Sequence, residues 1–186
     1  MTTYYNINPQ FYVSVDCIIF GFDKGSLKLL LLKRNFEPAK GSWSLMGGFV
    51  QDGESVDDAA KRVLAELTGL ENVYMEQVGT FGEVDRDPGE RVISVAYYAL
   101  ININEYDRNL VQQHNAHWAE INEIPPLVFD HPQMVKQARI MLQKKASSEP
   151  IGFNLLPSLF TLFQLQSLYE AIYGEPLDKR NFRKRV

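Results

Sequence analysis

Two periodicities divide the chain. Residues 11 to 20 mix β-branched and aromatic side chains, and Leu27 to Lys33 repeats that character after the turn signal Phe22-Asp23-Lys24-Gly25-Ser26, so a β-hairpin is predicted. Ser42 to Val50, with two glycines, reads as a strand entering a loop. The period then becomes helical. Val56, Ala59, Ala60, Val63, Leu64 and Leu67 recur at steps of 3, 4, 7, 8 and 11 and form one apolar stripe over residues 55 to 68. Ser55 with Asp58 resembles a capping box, and Gly69 is placed to end the helix. Strands are expected over Tyr74 to Glu83 and Arg91 to Ile103, on either side of the polar loop Asp85 to Glu90, with a short one over residues 116 to 121. Pro132 suits a first helical turn, and a helix to about Lys145 is expected. Strands and helices mixed without regular βαβ alternation predict an α/β (α+β) sandwich.

Residues 146 to 157 carry Gly, Pro and Ser and read as a linker, with Ile151, Phe153 and Leu155 expected to dock. Beyond it, Thr161 and Gln164 form a second capping box. Leu162, Leu165, Leu168, Tyr169 and Ile172 give an amphipathic helix that stops at Gly174. Asp178 is an N-cap for one more helix, in which Phe182 and Val186 face inward and Lys179, Arg180, Arg183, Lys184 and Arg185 are left for the outside. Helix, glycine-containing turn and basic second helix make the helix-turn-helix pattern, although the same pattern also fits an ordinary αα-hairpin. The domains expected are residues 1 to 145, a linker over 146 to 157, and residues 158 to 186 as the start of a DNA-binding module.

Composition narrows the function. At 186 residues, with 45% apolar and 23% charged side chains, the chain can bury a sizeable core. No apolar run approaches the ~20 residues of a bilayer span, and no secretory signal opens the chain, so a cytoplasmic protein is expected. The single cysteine, Cys17, lies in an apolar strand and excludes a disulfide framework or a multi-Cys metal site. Net charge is -4, yet residues 178 to 186 hold five basic side chains and one acid, which leaves -8 on the rest. A concentrated basic patch on an acidic body fits nucleic-acid contact at that end.

The segment from Gly48 through Glu54 and Arg62-Val63-Leu64-Ala65-Glu66-Leu67-Thr68-Gly69-Leu70 resembles the Nudix box: glycine, five residues, glutamate, seven residues, then Arg-Glu-aliphatic-x-Glu-Glu-x-Gly-aliphatic. Trp43-Ser-Leu-Met-Gly-Gly48 upstream fits as well, with Met46 where the family usually has proline. The resemblance implies the Nudix α/β/α sandwich over roughly residues 8 to 145. It also implies Mg²⁺-dependent hydrolysis of nucleoside diphosphates by three helix glutamates. Their positions here are Val63, Glu66 and Leu67. Two are aliphatic, so that helix face is not expected to hold a hard divalent cation. Glu66 is expected to pair with Arg62, and Glu54 to hydrogen-bond the loop. No catalytic residue, no metal and no cofactor are expected, and Mg²⁺ enters only if the chain is a hydrolase after all.

Residues 160 to 185, the loop-strand 85 to 98 and Phe129-Asp-His131 resemble Nudix-related transcriptional regulators, whose degenerate Nudix domain senses a metabolite while a C-terminal winged helix holds DNA. The arabinose-responsive branch found in Bacteroidetes is the nearest in general likeness, which makes L-arabinose the expected effector and ADP-ribose the second choice. Trp43 and Tyr97 are candidates to stack on a ring; Arg34, Glu83, Asp85, Arg86 and Arg91 are candidates to bond hydroxyls or phosphates. The resemblance further implies a homodimer on a near-palindromic operator. A winged helix has a β-hairpin wing after the recognition helix, and residues 158 to 186 supply only what precedes it. The wing is therefore expected to be absent, or the chain cut before it. The competing function is a Nudix hydrolase acting on ADP-ribose or another nucleoside diphosphate sugar.

Overall fold

A computed structural model describes residues 7 to 106 and 108 to 185. Its centre is β1 (Tyr12–Asp23), which meets β2 (Ser26–Lys33) in an antiparallel hairpin. Lys24 and Gly25 both take positive φ, 49° and 84°, the two-residue turn whose twist matches the strands. The first half of β1 pairs antiparallel with β4 (Met46–Phe49), and its other edge runs parallel to β6 (Val92–Leu100). β5 (Tyr74–Phe81) adds to β6, while β3 (Trp43–Ser44) and β7 (Ala116–Glu120) pair with β2.

Helices cover both faces of this sheet. Val15, Cys17 and Ile19 pack with α1 (Val56–Thr68), while Ile18, Phe20 and Phe22 share the opposite core with α3 (His131–Ser148) and α4 (Leu162–Tyr173). Because both faces of β1 are buried, its apolar run is nearly continuous where a half-exposed strand would alternate. The α/β sandwich expected from the sequence is the observed fold.

Several local expectations change. A short helix α2 (Arg108–Gln113) was not foreseen. α3 reaches Ser148 and takes in the first residues expected to be linker. In the rest of that segment Ile151 and Leu155 dock as expected, around a single 3-10 turn over Phe153–Leu155. Phe153 itself stays exposed and stacks on Phe160, rings 5.7 Å apart. Leu162 is also exposed, because it opens α4 at the solvent end of its stripe. Among the described residues no helix is long and apolar enough to cross a membrane.

Candidate functional site

A cleft of about 380 Å³ opens between β1, β4, the loop after β2 and the N-terminal end of α3. Asp16 of β1 lies on its floor, directly opposite Gly47 of β4. A Cβ at Gly47 would stand 2.5 Å from Asp16 Oδ1, so only glycine leaves the carboxylate uncovered there. Ser94 Oγ donates to Asp16 Oδ2 at 2.6 Å. The Arg86 side chain, 3% exposed, donates from Nε and a terminal nitrogen to the two oxygens of Asp130, each at 2.8 Å, and lies 3.6 Å from Asp16. Asp130 sits at the N-cap of α3 but makes no side-chain cap bond, since Arg86 holds both its oxygens. His131 follows. Its Nδ1 accepts from the Leu45 amide at 3.0 Å, and burial pushes its pKa below the ordinary histidine value.

Arg34 lines the same cleft. Its Nε donates to the Pro38 carbonyl at 2.8 Å, and its guanidinium lies over the rings of Phe36 and Phe129, at 4.3 and 5.3 Å. Among the described residues no carboxylate comes within 4.0 Å of it. Partial burial pulls its pKa down, opposed by the charges of Asp87, Asp16 and Glu37. The cleft thus offers one cation without a close counter-ion, aromatic walls, and a floor of bonded carboxylates.

The other sequence-chosen ligand residues divide. Arg86 reaches the cleft, but its charge is already shared with Asp130 and Asp16. Arg91 is instead turned to the backbone: it donates to the carbonyls of Gly82 and Glu83 at 2.9 and 3.0 Å and covers Phe11. Glu83 and Asp85 are exposed on the β5–β6 loop, outside the cleft lining. Trp43 packs edge-on against His117 and under Lys33, also outside it. Tyr97 is buried against α1 and donates its hydroxyl to Asp57, so it cannot stack on a ligand. Sequence reading missed Asp16, Asp130 and His131 as parts of one cluster. One signal was present for Asp16: an acid within the run Val-Asp-Cys-Ile-Ile-Phe is costly unless bonded.

The loop-helix segment is held by Arg62. It grips Glu54 through two bonds of 3.0 and 2.7 Å and donates to the Phe49 carbonyl at 3.0 Å. Glu66 is a weaker partner at 3.4 Å, so the principal mate of Arg62 is Glu54, not Glu66. Glu54 also accepts from the Gln51 amide at 2.8 Å. Gly69 caps α1 in the left-handed region, φ 71°. Val63 and Leu67 are 4% and 0% exposed and belong to the core between α1 and the sheet, Val63 directly beneath Gly48. Among the described residues no group of three or more His, Cys, Asp or Glu side chains could hold a metal.

At the other end, Gly174 closes α4 with φ 76° and Asp178 accepts from the Asn181 amide at 2.8 Å, ahead of α5 (Lys179–Arg185). Phe182 is 5% exposed and meets Tyr169 edge-on at 5.6 Å. Lys179, Arg180, Arg183 and Lys184 are exposed. The inward placement expected for Val186, and the side-chain direction expected for Arg185, lie outside the described residues.

A glycine-bracketed loop and helix, mounted on a mixed sheet beside a cleft and followed by a helix pair with a basic outer face, define a Nudix domain joined to a helical DNA-binding module. Residues 10 to 141 match the family profile described as NUDIX domain, and residues 152 to 186 that of the NrtR DNA-binding winged helix domain. A relative from Acinetobacter baylyi, the ADPR responsive transcriptional repressor NtrR, is 36% identical over 96% of this chain and 73% of its own. The ADP-ribose pyrophosphatase of Methanocaldococcus jannaschii is 36% identical over 67% of this chain and 70% of its own. The crystal structure of Shewanella oneidensis NrtR superposes with a TM-score of 0.86 at 33% identity, covering 94% of this chain and 84% of that one. That protein is also known with a 27mer DNA (TM-score 0.83, 32% identity, 94% and 81% covered). Its NUDIX domain is known with ADP ribose (TM-score 0.62, 31% identity, 73% and 91% covered). The chain belongs to the Nudix family and, within it, to the proteins that carry an NrtR-type winged helix.

Proposed function

We propose that this protein is an ADP-ribose-responsive DNA-binding regulator. The observation that carries the reading is the inward turn of Val63 and Leu67: the helix face that would carry metal-binding acids is sealed into the core, while the cleft beside it stays open. A retained pocket without its metal acids suits sensing better than hydrolysis. The L-arabinose expectation finds no support among these relatives, whose names and bound ligand point to ADP-ribose. Arg34 is the natural partner for a pyrophosphate, its guanidinium steadied over the rings of Phe36 and Phe129 in the cleft wall. The exposed cations of α5, Lys179, Arg180, Arg183 and Lys184, continued in sequence by Arg185, meet the DNA. The protein acts as a homodimer, and two-fold symmetry then calls for near-palindromic half-sites.

The test begins with a duplex selected from a random pool. Its anisotropy with the full chain is followed as ADP-ribose or L-arabinose is added, with a chelator present. ADP-ribose should release the duplex without metal, and arabinose should not. Hydrolysis of ADP-ribose with Mg²⁺ at the ~10 s⁻¹ of an ordinary enzyme would place the chain among the hydrolases instead.

A further inference from the structure

Asp16 and His131 face each other across the cleft floor with their bonding capacity half used. Asp16 Oδ2 is taken by Ser94 Oγ at 2.6 Å, but among the described residues no hydrogen bond reaches Oδ1. His131 Nε2 stands 3.6 Å from Oδ1, too long for a direct bond. The tautomer of His131 is fixed by its other nitrogen. Nδ1 accepts from the Leu45 amide, so the ring proton of the neutral imidazole is on Nε2. An acceptor and a donor therefore stand side by side, both lining the cleft. Gly47, the cross-strand partner of Asp16 on the same face, adds no side chain to cover them.

Only some ligand groups satisfy such a pair. A hydroxyl oxygen about 2.8 Å from each atom donates to Asp16 and accepts from His131. A phosphate oxygen can accept from His131 but has no proton for Asp16, and its charge is repelled by the carboxylate. A carbonyl fails for lack of a proton, and an ammonium for lack of an acceptor. The cleft thus carries two chemically distinct groups: Arg34 suits an anion, and Asp16 with His131 suits a neutral polyol.

We infer that Asp16 and His131 form a specificity-determining pair that reads a sugar hydroxyl of the effector. In the ADP-ribose reading, on which the identity of the whole ligand rests, that hydroxyl belongs to the pentose beyond the pyrophosphate. The pair is what separates ADP-ribose from ADP.

Calorimetry on the full chain tests this with ADP-ribose, ADP, free D-ribose and free L-arabinose, on the wild type, Asp16→Asn and His131→Asn. Asparagine at 131 keeps an acceptor near the Leu45 amide and removes the Nε2 proton. The wild type should prefer ADP-ribose over ADP by roughly 10- to 100-fold, the worth of a hydrogen bond to a charged group. Both variants should lose most of that preference, read as the ratio of ADP-ribose to ADP affinity within each protein. A long-range ¹H–¹⁵N spectrum of the wild-type imidazole gives a readout that no folding defect can mimic: the Nε2 signal of His131 should move with ADP-ribose and stay with ADP. If both variants keep the preference, or the Nε2 signal is indifferent to the sugar, the pair does not read a hydroxyl, although ADP-ribose remains the effector. If a free pentose binds through this pair and ADP-ribose does not, the pair stands and the effector is wrong. If none of the four binds, both readings fall.

Discussion

Asp130 occupies a helix N-cap, where an aspartate ordinarily accepts from the first-turn amides. Here Arg86 takes both its oxygens instead, and the pair is almost wholly buried. Removing one member of a buried pair leaves the other charge poorly solvated. Asp130→Ala should therefore cost about 3 kcal/mol, the lower end for such pairs because Asp16 still lies near Arg86. Urea denaturation measures it, and a loss under about 1 kcal/mol would show that Asp16 alone suffices. His131 gives a second residue-scale expectation. Burial is the main cause of its lowered pKa; Arg86 and Arg34 lower it further, against Asp16 and Asp130. Below the ordinary histidine value, about 6.5, the unfolded chain then binds a proton that the folded chain refuses. The contribution of His131 to stability is complete above that pH and is lost as the pH falls from it towards the lower folded value. Between about pH 7.5 and about pH 5.5 the wild type should lose more urea resistance than His131→Asn.

Helices α1 and α4 show two ways an element is fixed. α1 is pinned at its ends by Ser55 and Gly69 and at its middle by a buried stripe. Leu67 is fully buried in that stripe, so Leu67→Glu places a carboxylate in the core and does not rebuild a metal site. The variant should lose about 3 kcal/mol or more, and excess Mg²⁺ should not restore the loss in a denaturation curve. α4 depends on the Thr161–Gln164 box and on Gly174, which with φ 76° turns the chain towards α5. Thr161→Ala should cost about 1 kcal/mol. Phe182→Ala removes the ring that ties α5 to Tyr169 and should cost about 3 kcal/mol. Amide exchange should show both losses in residues 162 to 185 before the sheet is affected.

The whole molecule is an acidic body with a basic end, -8 against +4. Binding of a duplex at that end should be strongly salt-dependent, because released counterions supply much of the free energy. Within α5 the cations should differ in role. Arg180→Ala or Arg183→Ala should cost roughly 1–3 kcal/mol per half-site and relax base preference, since guanidinium can read guanine with two bonds. Lys184→Ala should weaken all sequences alike and lower the salt slope by about one unit per half-site. Anisotropy with selected and scrambled duplexes at several salt concentrations separates the two. If all three can be replaced without effect, the basic cluster is a solvated surface.

The stripe from Val56 to Leu67, the caps at Ser55, Gly69, Thr161 and Gly174, and the basic face of α5 were legible in the sequence because each is local: its partners lie within a few residues and follow the period of a helix. The loss of acids at positions 63 and 67 was legible for the same reason. The cleft was not. Asp16, Ser94, Asp130 and His131 come from two strands and one helix up to 115 positions apart in the chain; the register of β1 against β6 joins the first two, and the bonds from Arg86 and the Leu45 amide hold the start of α3 against them. Trp43, Tyr97 and Arg91 have the right chemistry for a ligand, but packing spent them elsewhere, on His117, on Asp57 and on two backbone carbonyls. Composition gives a side chain its capacity to bond; the tertiary structure decides which partner uses it.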